Sequence, residues 1–323
     1  MTREELKQLI RGPIATLPSP MDQNYQLDFG IMADLTHWWI DQGLVSGKAV
    51  LKVAAAMGEG PDLADDEWPH LLRTVVQHSE GRGAVVCGLK MKDTTKTIED
   101  AKRAQDIGAI GLQIDLPVFH HPTQDDMVRF FTDISDAIDI GILIYNTWWF
   151  NHPTLGEQSI SPESMLRLKD AEHVVGVKWA VPPDGPLDYD DMRQFSDIFN
   201  VIDNTNQPAR CHKNGGAGYI NSSIHAYPPQ GLTVWELCEA GKYDEAQELQ
   251  NQVQSALGKL GGKLAKKSGG YRMQKAMMEA IGKPVGPPRP PTLPLTAEEV
   301  VELREIMAGL GWPVANQPVG ATA

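Results

Sequence analysis

The sequence predicts an α/β fold, a (β/α)8 TIM barrel followed by a C-terminal helical extension, and three observations carry that prediction. Eight short apolar, β-branched runs alternate with longer polar–apolar segments, the pattern of repeated βα units around a parallel sheet. Several of the longer segments open on an N-cap residue type or on a proline in the first turn, as helices do. The 323 residues suit two domains of roughly 100–200 residues, or one α/β barrel of roughly 250 with an appendage.

The candidate strands, in order, are residues 13–17, 48–54, 83–89, 110–115, 140–146, 173–180, 199–203 and 218–224. Amphipathic stretches at 29–42, 65–79, 94–107, 124–138 and 162–170 fill gaps between them. Eight strands with intervening helices is the count of a (β/α)8 barrel. A doubly wound sheet is the structural alternative, but the first βα turn carries no G-x-G-x-x-G, so its dinucleotide-binding form lacks support. After the eighth strand only helical patterns follow, at 232–240, 243–259, 271–281 and 297–309. Residues 282–291, Gly-Lys-Pro-Val-Gly-Pro-Pro-Arg-Pro-Pro, cannot be helical, because each proline removes a donor and fixes φ; a stiff surface connector is expected. The expected organisation is a barrel over 1–228, a helical region over 229–312 and a disordered tail over 313–323, where residues 316–323 are small and polar.

Composition narrows the partners. With 42 acidic against 29 basic side chains the net charge is −13, which repels nucleic acid and anionic membrane surfaces. No apolar run approaches the roughly 18 residues of a membrane span, and Met1-Thr2-Arg3-Glu4-Glu5 lacks the apolar core of a signal peptide, so a cytoplasmic protein is expected. Cys87, Cys211 and Cys238 are widely spaced with no C-x-x-C pair, which suggests neither a disulfide framework nor a zinc knuckle.

Lys178 is the sharpest single feature, set in Val174-Val175-Gly176-Val177-Lys178-Trp179-Ala180, a run that otherwise reads as a buried strand. Burial disfavours the ammonium and leaves a neutral amine able to attack a carbonyl and form a Schiff base. The plainer alternative is a lysine that snorkels to the strand end or pairs with an acid. Lys52, in Ala49-Val50-Leu51-Lys52-Val53-Ala54, has equal standing on strand context alone. Tyr145 ends a further apolar strand, where a phenol can shuttle protons or can simply be a satisfied core tyrosine. Gly58-Glu59 reads either as a tight turn with a capping acid or as a loop whose backbone N–H groups hold a carboxylate. His120, His121 and His152 with Asp115 are the candidates for a metal, but adjacent histidines on an extended segment point to opposite sides and the helical H-E-x-x-H spacing is absent, so no metal is expected. Gly215-Gly216-Ala217-Gly218 is a loop that either lets backbone approach a ligand or turns the chain.

Taken together these motifs resemble the dihydrodipicolinate synthase and N-acetylneuraminate lyase family of class I, Schiff-base-forming barrel enzymes. The resemblance spans about residues 13–312 and marks a divergent member. It rests on Gly58-Glu59 with Pro61, Leu63 and Glu67, and on Pro117-Val118-Phe119-His120-His121-Pro122-Thr123-Gln124, similar to the family's P-Y-Y-x-x-P-T-Q. Tyr145-Asn146, Ser161-Pro162-Glu163, Val175-Gly176-Val177-Lys178, the run from Gly215 to Asn221 and the proline-rich connector follow in the family's order. The resemblance implies that Lys178 forms an imine with a 2-oxo acid, usually pyruvate, and that Tyr145 transfers protons, with no cofactor; Lys52 has no motif behind it. It places Ala56, Met57, Gly58, Asn146, Gly218 and Ile220 at the substrate; Trp148 and Trp149 are added because they lie on the loop after the fifth strand, where large apolar residues have a binding or interface reason. It further implies a homo-oligomer, a tetramer, acting on a small carbonyl substrate.

The departures are informative. Ala55-Ala56-Met57-Gly58-Glu59 stands where the family has G-T-T-G-E, so both loop hydroxyls are missing. Phe119 replaces the second tyrosine of P-Y-Y, and the arginine that follows Y-N is replaced within Tyr145-Asn146-Thr147-Trp148-Trp149-Phe150. A pocket that exchanges hydroxyls and a guanidinium for apolar groups cannot satisfy a sugar acid or a dicarboxylate. The expectation is therefore a lyase or aldolase for a 2-oxo acid or ketone with a bulky apolar or aromatic remainder, held by backbone N–H groups near Gly58. Trp179, alternating with Lys178, should pack behind the site. Two alternatives stay open: a 2-oxo-acid dehydratase or deaminase working through the same imine, and a barrel that binds a small ligand without turnover.

Overall fold

A parallel strand covered by helices outside and by its neighbours' side chains inside must be apolar along nearly its whole length, and each of the eight runs becomes such a strand. They are β1 Gly12–Thr16, β2 Val50–Val53, β3 Ala84–Gly88, β4 Gly111–Asp115, β5 Gly141–Tyr145, β6 Val174–Trp179, β7 Asn200–Asp203 and β8 Gly218–Asn221. In the computed structural model, which describes residues 1–150, 157–267 and 270–315, all eight pair in parallel and in sequence order, and β8 closes on β1. The architecture is a TIM barrel with a C-terminal helical extension.

The helices are α1 Arg3–Leu9, α2 Phe29–Asp41, α3 Glu67–His78, α4 Thr94–Ile107, α5 Gln124–Ser135, α6 Pro162–Arg167, α7 Pro208–Lys213, α8 Pro228–Glu239, α9 Tyr243–Leu264, α10 Tyr271–Ala280 and α11 Ala297–Gly309. Two were not anticipated, α1 and α7. Both are too short to show a 3.6-residue period, although the Thr2-x-x-Glu5 capping box at α1 was a readable start signal. The eighth barrel helix, α8, packs on β1 and on α9. Among the described residues no helix is long and apolar enough to cross a membrane. Of the tail expected over 313–323, residues 313–315 are described, and the Ala315 N–H donates to the Ala280 carbonyl at 2.9 Å, so this part is held against the helical region; residues 316–323 lie outside the described residues.

Inside the barrel the side chains divide by height. At the N-terminal end Leu6 and Ile10 plug the opening and pack with Ile14, Val50, Ala84, Val86, Leu143 and Ile202, all fully or almost fully buried. Arg3 holds the plug in place by donating to the carbonyls of Lys169, Ala171 and Val174 at 2.6–2.9 Å. This end is sealed, so a ligand enters from the other.

Residues 282–291 are non-helical as expected, but they do more than run over the surface. Val285 is fully buried and its carbonyl accepts from Met21 N–H, while the Pro287 carbonyl accepts from the Lys275 ammonium at 2.9 Å. A stiff segment loses little further entropy when it is pinned, which suits it to bracing a loop.

Gly218 needs correction. It opens β8 in register with Gly12, the first residue of β1, and so sits at the sealed end, away from any ligand entering the mouth. A Cβ there would lie 2.3 Å from the Gly12 carbonyl oxygen, so the glycine is needed for strand closure. Gly218→Ala should lower stability in urea unfolding by about 1–3 kcal/mol, the usual cost of overpacking; an unchanged midpoint would show that the β1–β8 seam yields without cost.

Candidate active site

Parallel pairing puts Asp115 opposite Tyr145 and Tyr145 opposite Lys178. Paired residues in adjacent strands point to the same side of the sheet, so the three share one level at the C-terminal end of the barrel lumen. Lys52 of β2 faces the same interior. Its ammonium donates to Gln113 Oε1 at 2.8 Å. The upper lumen is therefore a polar layer above the apolar plug.

Lys178 is buried, and its Nζ lies 3.5 Å from the centre of the Tyr145 ring. Desolvation, followed by the nearby Lys52 charge, holds the Lys178 amine well below the ordinary lysine range, against the pull of Asp115. Lys52 is lowered to about 7 by desolvation, with Asp115 opposing. Desolvation raises Asp115 to about 6, again opposed by the two lysines, and its Oδ1 is buried without a hydrogen-bond partner among the described residues. The Tyr145 phenol is pushed up by burial and then by Asp115, while Asn204, on the turn after β7, offers it a hydrogen bond. It stays protonated at neutral pH.

Beside this layer the chain leaves β2 in a contorted turn. Ala54 and Glu59 both adopt positive φ, 54° and 62°, flanking a single 3-10 turn, Ala56–Gly58. A side chain at Gly58 would meet the Leu17 carbonyl oxygen at 2.3 Å, which requires glycine there. The N–H of Gly58 itself is consumed by the Ala55 carbonyl at 2.8 Å. The N–H groups of Ala56 and Met57 instead find no acceptor among the described residues, and both residues are exposed.

Glu59 braces this turn from behind. It is fully buried, ion-paired with Lys275 of α10 at 2.7 Å, and accepts the Arg289 N–H at 3.0 Å. Burial pushes the Glu59 carboxyl up and the Lys275 ammonium down. Yet Lys275 Nζ also donates to the carbonyls of Ser19 and Pro287, the full donor set of an ammonium, so the pair is ionised. Arg289 in turn grips Glu67 with two hydrogen bonds of 2.8 and 2.9 Å.

The loop after β5 forms the facing wall. The Trp149 ring stands edge to face on Tyr145 at 5.6 Å, with Trp148 edge on behind it at 5.6 Å and Phe150 tilted against it at 6.0 Å. Trp149 is exposed at the mouth and Trp148 is half-buried. Asn146, expected to touch substrate, is a second correction. It is fully buried and its amide is committed, donating to Ala180 O and pairing with Ser159, while its oxygen accepts Ile160 N–H. It holds the returning chain in place. Ile220 faces the lumen from β8, half-buried against the apolar cluster. Trp179 lies outside the barrel wall, fully buried against Phe195, with its Nε1 donating to the Tyr189 carbonyl, as alternation requires.

Of the histidines considered for a metal, His120 and His121 are exposed and His152 lies outside the described residues. Among the described residues no group of three metal-ligating side chains forms. Sequence reasoning set Lys52 aside and grouped Asp115 with those histidines; the structure places both in the polar layer. The available signal was the alternation itself, since Lys52, Gln113 and Asp115 occupy the inward positions of otherwise apolar strands.

The sequence and the fold match known proteins. The family model described as the dihydrodipicolinate synthetase family covers residues 9–309. The 4-hydroxy-tetrahydrodipicolinate synthase of Acidothermus cellulolyticus is 29% identical over 304 residues, covering 93% of this chain and 92% of that protein. The synthase of Listeria monocytogenes is 28% identical over 285 residues, covering 85% and 90%. Among solved structures, dihydrodipicolinate synthase from Thermotoga maritima superposes with a TM-score of 0.78 at 24% identity, covering 94% and 99%. That from Acinetobacter baumannii, solved with pyruvate, has a TM-score of 0.79 at 21% identity, covering 94% and 99%. The match along nearly its whole length, on a barrel whose lumen carries a buried lysine against a tyrosine, makes this chain a divergent member of the dihydrodipicolinate synthetase family of class I, Schiff-base-forming lyases.

Proposed function

We propose that the protein is a Schiff-base lyase or aldolase for a 2-oxo acid, or a related ketone, with a bulky apolar or aromatic remainder, in which Lys178 is the nucleophile and Tyr145 the proton carrier. The observation that carries this reading is the contact of a buried, deprotonatable Lys178 with the Tyr145 ring, itself capped by Trp149.

The chemistry follows from the placement. The Lys178 amine adds to the substrate's C2 carbonyl, and the Tyr145 phenol gives its proton to the departing hydroxyl, which leaves as water. The protonated imine that remains is the electron sink. In the cleavage direction the phenolate takes the proton of a C4 hydroxyl as the C3–C4 bond breaks, the C4 fragment leaves as an aldehyde, and the bonding pair moves to form an enamine. The re-formed Tyr145 phenol returns that proton to C3, and addition of water to the imine releases the shorter oxo acid and the Lys178 amine. The substrate carboxylate sits on the free N–H groups of Ala56 and Met57, which serve in place of side-chain hydroxyls. The Acinetobacter relative solved with pyruvate supports a 2-oxo acid as the imine partner.

Trp149 beside Tyr145 supports an apolar remainder. Phe119, 76% exposed, and Phe150, 55% exposed, leave apolar surface near the mouth that supports a homo-oligomer, a tetramer.

Three outcomes test the reading. Borohydride reduction with pyruvate should leave its adduct on the Lys178 peptide, Lys178→Ala should abolish it, and Tyr145→Phe should fold normally yet turn over roughly 10²–10⁴-fold more slowly; an adduct confined to Lys52 would refute the mechanism. An aryl-substituted 2-oxo acid should show a higher kcat/KM than a sugar-derived one, and the reverse preference would remove the aromatic reading. Light scattering should report several times the 35.5 kDa chain mass, and a single-chain mass would contradict the oligomer.

A further inference from the structure

Among the described residues the lumen's polar layer holds one carboxylate and two amines, and the proposed mechanism uses only one of the amines. Lys52 is almost wholly buried, its ammonium donates to Gln113, and it faces the same interior as Lys178 and Asp115. Asp115 carries a buried oxygen without a hydrogen-bond partner among the described residues. The other strands bring no further charge to this level. Thr16 of β1 and Val86 of β3 flank Lys52, Ile202 of β7 flanks Lys178, β5 contributes the phenol of Tyr145, and Ile220 lines β8. Charge in a closed, desolvated space is tolerated only when balanced, and one carboxylate balances one ammonium.

We propose that Lys52 is the resident ammonium that balances Asp115, and that this pair keeps Lys178 in the free-amine form needed to attack a carbonyl. Lys52 is a positioning residue that acts through the charge state of its neighbour, a role that rests on the proposed function of Lys178. The arrangement has two parts. The Gln113 carbonyl stabilises the proton on Lys52 rather than on Lys178, which has only the ring face of Tyr145 beside its Nζ. The Lys52 charge then repels a second proton from Lys178, as a neighbouring cation does to an imine-forming lysine. The direction of the shift agrees, since the Lys52 charge stands beside burial among the causes that lower Lys178. Once an imine forms at Lys178, its positive charge lies in the same enclosure as the Asp115 carboxylate.

Charge control and simple packing predict different signs. Reductive methylation of the full chain with formaldehyde and cyanoborohydride across pH 5–9, normalised to the exposed Lys96 and read peptide by peptide, reports each amine without any 2-oxo acid. In the unmodified protein Lys178 should become reactive at lower pH than Lys52, and the opposite order would overturn the proposal without any variant. Lys52→Met leaves Asp115 with Lys178 as its only cation, so the Lys178 midpoint should rise by about one unit or more, with a tenfold or greater loss of labelling below it. Asp115→Asn should move that midpoint down, and Lys52→Arg, which keeps the charge, should leave it in place. Midpoints that stay fixed, or that move the same way in Lys52→Met and Asp115→Asn, would overturn the proposal. A chain that titrates as stated yet gives no borohydride adduct with any 2-oxo acid would refute the lyase reading and leave this charge arrangement standing.

Discussion

Strand register in a closed parallel barrel is the constraint on which the rest of the molecule depends. Closure leaves no free edge, so each strand is locked to two neighbours, and a one-residue slip would turn every side chain to the opposite face. Such a slip in β6 would put Trp179 into the lumen and Lys178 among the helices. The correct register instead aligns Asp115, Tyr145 and Lys178 across three strands and sends Trp179 outward against Phe195. The layout of the candidate site is thus a consequence of backbone pairing, and Lys178 needs no local structure of its own.

A closed barrel has two ends, and the chain treats them differently. At the N-terminal end Leu6 and Ile10 fill the opening, and the strands approach so closely at Gly12 and Gly218 that a side chain cannot be accommodated. At the C-terminal end the layer is polar and the loops are held apart by contacts from distant sequence. Glu59 is anchored by Lys275 and Arg289, more than 200 residues away along the chain. A buried ion pair is weak evidence of net stabilisation, because desolvation offsets most of the Coulombic gain. Its role here is geometric. It ties the turn at Ala54–Glu59 to α10 and to the proline-rich segment, so the C-terminal extension braces the β2 loop.

That turn also explains how this member can lack the hydroxyls of its relatives' loop. Backbone N–H groups are donors whatever the side chain, so Ala56 and Met57 can present them without a threonine. Thioether and indole surface stands where hydroxyls would serve polar substituents. On the proposed function, the turn keeps an anchoring point for a carboxylate and favours apolar groups beside it.

The prediction for Gly218 shows where reading the sequence stops. Its motif matches the family and its strand was correctly placed, yet a linear motif does not say which end of a strand a residue occupies relative to the mouth. Asn146 follows the same pattern, because its neighbour Tyr145 faces the lumen while the next position must turn away and bond to the returning chain. The eight strands, most helices and the outward Trp179 were legible because they depend on local periodicity and alternation, which the linear order of residues determines by itself; Lys178 and Tyr145 were singled out from other strand residues only by the order of motifs shared with the family. Tertiary structure alone decided that Lys52, Gln113 and Asp115 meet Lys178 in one layer, that Lys275 and Arg289 brace the β2 loop, and that the open donors are those of Ala56 and Met57. Those facts depend on closure and on long-range pairing of charges, and the free energy of a buried charge is set by whatever the fold brings within a few ångströms of it, not by its neighbours along the chain.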